Sequence, residues 1–287
     1  MGQHSSAGIA EEWRLGALTG MIAPHMTDDA FFSVDGDRYI PNRVCRGPWD
    51  PNSLHGRVIA GLLGAEMERL HGAPDLQFSR MTVDLWRLPT FVPIEVRTNV
   101  VREGGRIRVV DAECFAEGVS IGRASGMLLR RGEEPEGEVW QPAPWDMPPP
   151  DAIPAEEFPA QLQGDWKPMW ETRSLGRAFG AAGRKRVWMR EVRTLIEGRE
   201  LTPFQRVALA CDFTSPLANS GPNGLAYINV DITLYLHRLP RTEWVGFDVT
   251  DHGSAEGVCV GECRLYDEQG PIGHSLVAGL AQRRRGR

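Results

Sequence analysis

Asp212 is the side chain in this sequence best placed to do chemistry. It follows an apolar helical face of Val207, Ala208 and Cys211 and precedes a breaker segment from Ser215 to Gly224. Burial at such a place is expected to raise its pKa, and a hydrogen-bonded carboxylate there can orient and deprotonate a water. The competing reading is an exposed aspartate near a helix end. His55 and Gly56 open an earlier helix. Backbone N–H groups at a helix start are donors aimed at developing negative charge, and glycine lets a reacting group come close. His55 could add a polar contact there or simply cap the helix. The sequence is read as carrying no Gly-x-Ser-x-Gly elbow, P-loop, dinucleotide fingerprint or His-Glu-x-x-His pattern, which sets several common alternatives aside.

These groups need elements to hold them. From His55 to Leu70, Val58, Ile59, Leu62, Leu63, Met67 and Leu70 recur at helical spacing. Gly56, Gly61 and Gly64 interrupt them. Glycine in an exposed helix costs about 1 kcal/mol relative to alanine, so this helix is expected to be buried and closely approached. A second helix is expected from Thr202, an N-cap residue followed by proline in the first turn, to about Thr214. Strands are expected over 28–39 and 185–195, ahead of the helices. After each helix come alternating strand-like runs joined by turns such as Glu103-Gly104-Gly105, Glu117-Gly118 and Asp267 to Gly270. One helix followed by an antiparallel meander is an α+β pattern rather than βαβ.

The pattern occurs twice. Arg87-Leu88-Pro89 recurs as Arg238-Leu239-Pro240, and Ile121-Gly122 as Ile272-Gly273, each pair offset by 151 positions. A period this long indicates a duplicated domain rather than a solenoid unit. Between the copies, residues 135–168 contain nine prolines and little apolar periodicity, as expected of an extended connector. The predicted organisation is a disordered terminus over 1–20, a first unit over 21–133, a proline-rich linker over 134–168 and a second unit over 169–285.

The net charge of −6 argues against nonspecific nucleic-acid binding, which needs a basic face. The terminal arginines 283–285 and 287 read as a solvated tail. Five cysteines at irregular spacing do not make a disulfide framework, and no histidine or second cysteine pair completes a zinc site around Cys259 and Cys263. Neither metal nor cofactor is expected. No apolar run reaches the roughly 18 residues of a membrane span, and no signal-peptide core is visible. The expectation is a cytoplasmic protein with reduced thiols.

At Ala210-Cys211-Asp212-Phe213 and Tyr227 to Arg238 the sequence resembles the C-terminal repeat of the double-hotdog (type II) acyl-CoA thioesterases. Gly47-Pro48-Trp49 and Leu54-His55-Gly56 resemble the start of the N-terminal hotdog helix in their actinobacterial-type relatives. The likeness runs in order over residues 25–285. It implies an α+β tandem double hotdog, each half a long helix wrapped by an antiparallel sheet, with the two sheets pairing. It implies hydrolysis of an acyl-CoA thioester to acid and CoA. Asp212 matches the catalytic aspartate, and Asn229 a polar residue that helps hold the attacking water; its amide can both donate and accept. Asp231 shares the face of Asn229 or serves as a strand-end ion pair. His55 and Gly56 fall at the oxyanion position. Arg57, Arg87, His237 and Arg238 are the candidate cations for CoA phosphates, and Leu62, Leu63, Met67 and Trp86 could line an acyl tunnel. The chain departs from the family in two respects: it has Arg57 where the family often has a second glycine, and where better-known members carry a glutamine on the last strand it has Val277, at the matching position or within one residue of it, flanked by Leu276 and Ala278. The second departure favours an alternative, a non-catalytic hotdog that binds acyl-CoA or acyl groups. A hotdog hydratase ranks last, because no histidine follows Asp212 at the expected spacing. A homodimer through sheet edges is expected.

Overall fold

A computed structural model describes residues 29–155, 169–176, 178 and 181–282. The predicted disordered terminus, the last part of the linker and the arginine tail lie outside these residues. The chain begins with β1 (Ala30–Asp35) and β2 (Arg38–Pro41), so the single strand expected over 28–39 is a hairpin. Gly36, at φ 65°, makes the turn. Helix α1 (Gly56–His71) follows, then β3 (Leu76–Leu85), β4 (Ile94–Glu103), β5 (Ile107–Ala116) and β6 (Val119–Arg130). The second half repeats this plan. It has β7 (Trp170–Ser174), β8 (Arg186–Glu191), β9 (Thr194–Ile196) and α2 (Pro203–Ala210). A 3₁₀ turn (Cys211–Phe213) leads into α3 (Thr214–Ala218). A small hairpin of β10 (Ser220–Gly221) and β11 (Gly224–Leu225) precedes β12 (Tyr227–Asn229), β13 (Asp231–Leu236), β14 (Trp244–Ala255), β15 (Val258–Asp267) and β16 (Gly270–Ala281).

One 14-stranded sheet joins the halves, its order β7-β8-β14-β15-β16-β13-β3-β6-β5-β4-β2-β1-β9, with β12 also paired to β16. Read outward from the central β13–β3 pair, the two halves have the same plan. Thr82 lies opposite Thr233 in that antiparallel pair, and these positions are 151 apart in sequence. A pseudo-twofold axis therefore passes through this pair. Leu85 faces Gly122 and Leu236 faces Gly273, again equivalent. The repeated glycine has a steric cause. A Cβ at Gly122 would come 2.8 Å from the Asp84 carbonyl oxygen, and one at Gly273 would fall onto the Tyr235 carbonyl.

The sheet curls until its ends approach. β8 stands near one end and β9 at the other, parallel to β1, yet only Val192 and Arg193 connect them. Two residues span roughly 10 Å at most between the strand ends. Inside the curl α1 packs on α2. Arg57 to Met67 are all buried, which is why the glycines are tolerated: a Cβ at Gly61 would meet Leu209 Cδ2 at 2.5 Å and one at Gly64 would meet Ala208 Cβ at 3.2 Å. Phe78 stacks on Phe204 with ring centroids 3.9 Å apart. A capping box at Thr202 and Gln205 starts α2, and both side chains also bond the Glu68 carboxylate on α1.

Two expectations need revision. The segment after Asp212 does not break the helix at Ser215; it continues through α3 to Ala218. The described part of the linker is extended, but it is anchored: Trp145, Met147 and Ile153 pack with Trp188, Trp244 and Tyr266.

Candidate active site

Asp212 sits where α2 tightens into the 3₁₀ turn, and it is 5% exposed. The Ser275 hydroxyl on β16 donates to the carbonyl oxygen of Cys211 at 3.0 Å, fixing the backbone just ahead of the aspartate. Asn229, on β12, donates from Nδ2 to Asp212 Oδ1 at 2.8 Å. His55 Nδ1 faces Asp212 Oδ2 at 3.4 Å, an electrostatic approach rather than a well-formed hydrogen bond. His55 is the N-cap of α1 but makes no capping hydrogen bond with its side chain; its ring serves the carboxylate instead. A Cβ at Gly56 would lie 3.1 Å from Leu85 Cδ1 and 3.6 Å from Asp212 Oδ2, so the helix start stands beside the acid, and the tight neighbour there is Leu85. All four residues line one cavity of about 270 Å³.

Sequence reasoning expected a raised pKa for Asp212. Burial does push it up, but the His55 contact, the Asn229 amide and the Arg57 charge outweigh burial, and the net direction is down. The group is a carboxylate at neutral pH. Its two oxygens keep acceptor capacity after the contacts named, so it can hold a water.

Arg57 is not a phosphate ligand. Its side chain has no exposed surface and pairs with Glu191 at the end of β8. The guanidinium lies over the rings of Phe31, Trp170 and Phe213, 5.1–5.5 Å from their centroids. Burial lowers its pKa to about 10, which still leaves a cation at neutral pH. Arg238 is also committed elsewhere. It grips Asp267 with two hydrogen bonds of 2.6 Å and reaches the Gly270 carbonyl, locking the last hairpin. Arg87, the repeat equivalent of Arg238, differs. The position matching Asp267 is Ala116, so no equivalent ion pair can form. Arg87 is exposed at the cavity.

Leu62, Leu63 and Met67 belong to the core rather than the cavity wall. The apolar wall includes Trp49, Leu85, Trp86, Leu88 and Ile228. Asp231 accepts from the backbone N–H of Ala278 and tethers the central strands; burial raises its pKa, and the neighbouring Asp84 charge adds to that. Val277 is buried in the core, so the last strand brings no amide side chain from that position. Cys211 is fully buried and burial pushes its thiol up, which keeps it a poor nucleophile. Gly118 to Gly122 does spell Gly-x-Ser-x-Gly, contrary to the reading that the pattern is missing. Ser120 lies inside β6, not at the strand-to-helix turn that a nucleophile elbow requires. Among the described residues no cluster of His, Cys, Asp or Glu could hold a metal.

Comparison with known proteins agrees with this layout. The acyl-CoA thioesterase N-terminal domain matches residues 45–129 and the acyl-CoA thioesterase C-terminal domain matches residues 146–277. The chain belongs to the acyl-CoA thioesterase family. It is a thioester hydrolase with the double-hotdog fold of that family. Similar solved structures include a thioesterase II from Thermobifida fusca, at 16% identity and TM-score 0.66 over 92% of this chain and 100% of that one. A tesB protein from Mycobacterium avium subs paratuberculosis aligns at 14% identity and TM-score 0.63 over 87% of this chain and 94% of that one. A hotdog protein from Alicyclobacillus acidocaldarius gives 18% identity and TM-score 0.67 over 89% and 97%. These likenesses speak for the fold. No curated protein matches significantly.

Within this thioesterase, two polar groups escaped sequence reasoning. Ser275 fixes the turn that carries Asp212 from behind. Ser215, three residues after Asp212, lines the same cavity. A sequence signal existed for Ser215: once Ser215 is seen to be helical, its spacing puts it on the face of Asp212. Its assignment to a breaker segment hid this.

Proposed function

We propose that this thioesterase hydrolyses an acyl-CoA thioester to free acid and CoA through a water oriented by Asp212. The observation that carries the proposal is a buried carboxylate, held by Asn229 and facing His55, beside the glycine that opens α1. The water oxygen attacks the carbonyl carbon while Asp212 takes a proton. The C–S bond breaks, and that proton passes to the departing CoA sulfur. The first N–H groups of α1 lack intrahelical carbonyl partners, and at Gly56 they suit the developing oxyanion. The apolar wall with Trp86 and Leu88 would receive the acyl group or the apolar part of the carrier, and exposed Arg87 would meet a CoA phosphate. Of the three candidate arginines Arg57, Arg87 and Arg238, Arg87 is the one that keeps this role.

We also propose a cytoplasmic homodimer. Among the described residues, five buried free cysteines suit a reducing compartment, and no helix is long and apolar enough to cross a membrane. Exposed Val100, Val101, Val258 and Val260 offer apolar surface for association. Sedimentation velocity tests the dimer.

A thiol-release assay across acyl-CoA chain lengths tests the chemistry. Asp212→Asn is expected to lower kcat by about 10²–10⁴-fold, the usual range for losing a general base. Equal release by wild type and variant would refute the role of Asp212.

A further inference from the structure

Water directed by a single carboxylate and one amide is incompletely held. A water has four hydrogen-bonding directions, and fixing its attacking lone pair requires most of the others to be occupied. The position expected to supply a further polar group, Val277, is apolar and buried. Its neighbour Ala278 uses its backbone N–H on Asp231 and its carbonyl on the Val230 N–H. The last strand therefore leaves a gap in the polar lining.

Ser215 stands where that gap can be filled. It is only 1% exposed, and its Oγ has no hydrogen-bond partner among the described residues. It lines the same cavity as Asp212, Asn229, His55 and Gly56. The backbone from Asp212 to Ser215 is helical throughout, so the two side chains are neighbours on one face, with Cβ atoms about 5–6 Å apart. That separation suits two groups that share one small molecule and do not bond each other. Buried polar atoms without partners are rare, because leaving water without a replacement bond is costly. A buried, unpaired hydroxyl in a catalytic cavity is thus a place prepared for a ligand oxygen. Thr214, next to it, also has a buried hydroxyl, but the Cys263 thiol is its neighbour and it is not part of the cavity wall.

We propose that the Ser215 hydroxyl completes the water site of this thioesterase, in the role left open by Val277. This inference rests on the Asp212-directed mechanism above. Ser215 bonds the attacking water and is not itself acylated. Its hydroxyl oxygen accepts a hydrogen bond from one water O–H while the other O–H points at Asp212, which takes that proton, and this aims a lone pair at the thioester carbon. No bond to Ser215 forms or breaks in the cycle.

The test compares wild type, Ser215→Ala, Ser215→Thr and Asp212→Asn in the thiol-release assay, with kcat and KM measured separately and melting followed in parallel. Ser215→Ala is expected to lose about 10- to 100-fold in kcat, below the loss of a full general base. Its KM should stay within about threefold, because water positioning acts on the transition state rather than on ground-state binding. Its melting temperature should hold or rise, since an unpaired buried hydroxyl is removed. Ser215→Thr keeps the hydroxyl and is expected to recover much of kcat. Full kcat in Ser215→Ala together with an inactive Asp212→Asn overturns the Ser215 proposal and leaves the Asp212 mechanism standing. A change confined to KM, or a matching loss of folded protein, overturns it as well. An acyl adduct on Ser215, found by mass spectrometry of protein quenched during turnover, would make Ser215 a nucleophile and refute the water-holding role. Undiminished activity in Asp212→Asn would remove both readings together.

Discussion

Separating Arg57 from Glu191 should destabilise the protein severely, and removing both should restore it. The pair ties the first turn of α1 to the end of β8 in the other half, and neither side chain has more than 1% of its surface exposed. Solvent screening therefore takes little from the interaction. Breaking one partner of such a pair typically costs about 3–5 kcal/mol, because the other charge is left buried and uncompensated. In Glu191→Gln the stranded group is a guanidinium, which keeps its proton at pH 7 and retains the Coulomb attraction of Asp212 alone, so most of that cost is expected. In Arg57→Met the stranded carboxylate can escape by protonation. Protonating an ordinary glutamate at pH 7 costs about 4 kcal/mol, which sets a ceiling on the damage, and the ceiling falls as the pH is lowered. At about 2–4 °C per kcal/mol for a chain of this size, each single variant should melt on the order of 10 °C below wild type at pH 7. The Arg57→Met defect should shrink towards pH 5. The double variant Arg57→Met with Glu191→Met fills the space with apolar side chains and should return to wild-type stability or pass it. Thermal melts at pH 5 and pH 7 measure all of this. A Glu191→Gln protein that melts within about 3 °C of wild type would refute the reasoning, since it corresponds to about 1 kcal/mol; so would a double variant no more stable than the singles.

Two further outcomes are expected. Because the Asp212 carboxyl is held below its ordinary 3.8, its ionised form favours the folded state. That contribution is present above the unfolded pKa and is lost as the pH falls through the lower folded value. A kcat/KM profile should therefore show no loss of the Asp212 base between pH 5 and pH 7, and Arg57→Met with Glu191→Met should shift its acid limb to higher pH; a wild-type limb near neutrality that vanishes in Asp212→Asn would contradict the depressed value. Gly122→Ala and Gly273→Ala should each destabilise by about 1–3 kcal/mol or more, as overpacking does, because the added methyl meets a backbone carbonyl on the paired strand; Gly105→Ala, where no atom lies within 4 Å, is the control in denaturant melts.

The primary sequence carried the duplication, the fold class and the acid. Pro89 with Pro240 and Gly122 with Gly273 could be matched by spacing alone, because a repeated strand crossing needs the same small residue in both copies. The helix over Gly56–His71 was visible because its large apolar side chains Val58, Ile59, Leu62, Leu63 and Met67, all buried, recur at helical spacing; that Arg57 and Glu66 are buried with them was not. Asp212 stood out as a charge on an apolar face. Tertiary structure alone decided which charges meet. Arg57 and Glu191 are 134 positions apart, and no local pattern announces their pairing. The equivalent arginines Arg87 and Arg238 have different fates because one faces Asp267 while the corresponding place opposite the other is Ala116. The sign of the Asp212 shift was missed for the same reason. Burial can be read from a single segment, but the groups that overrule it, His55 and Arg57 at the start of α1 and Asn229 on β12, arrive from two other points in the chain. Periodicity reports one element's own environment, whereas hydrogen bonds and Coulomb interactions depend on distances that exist only once the sheet has curled and brought both helices inside it.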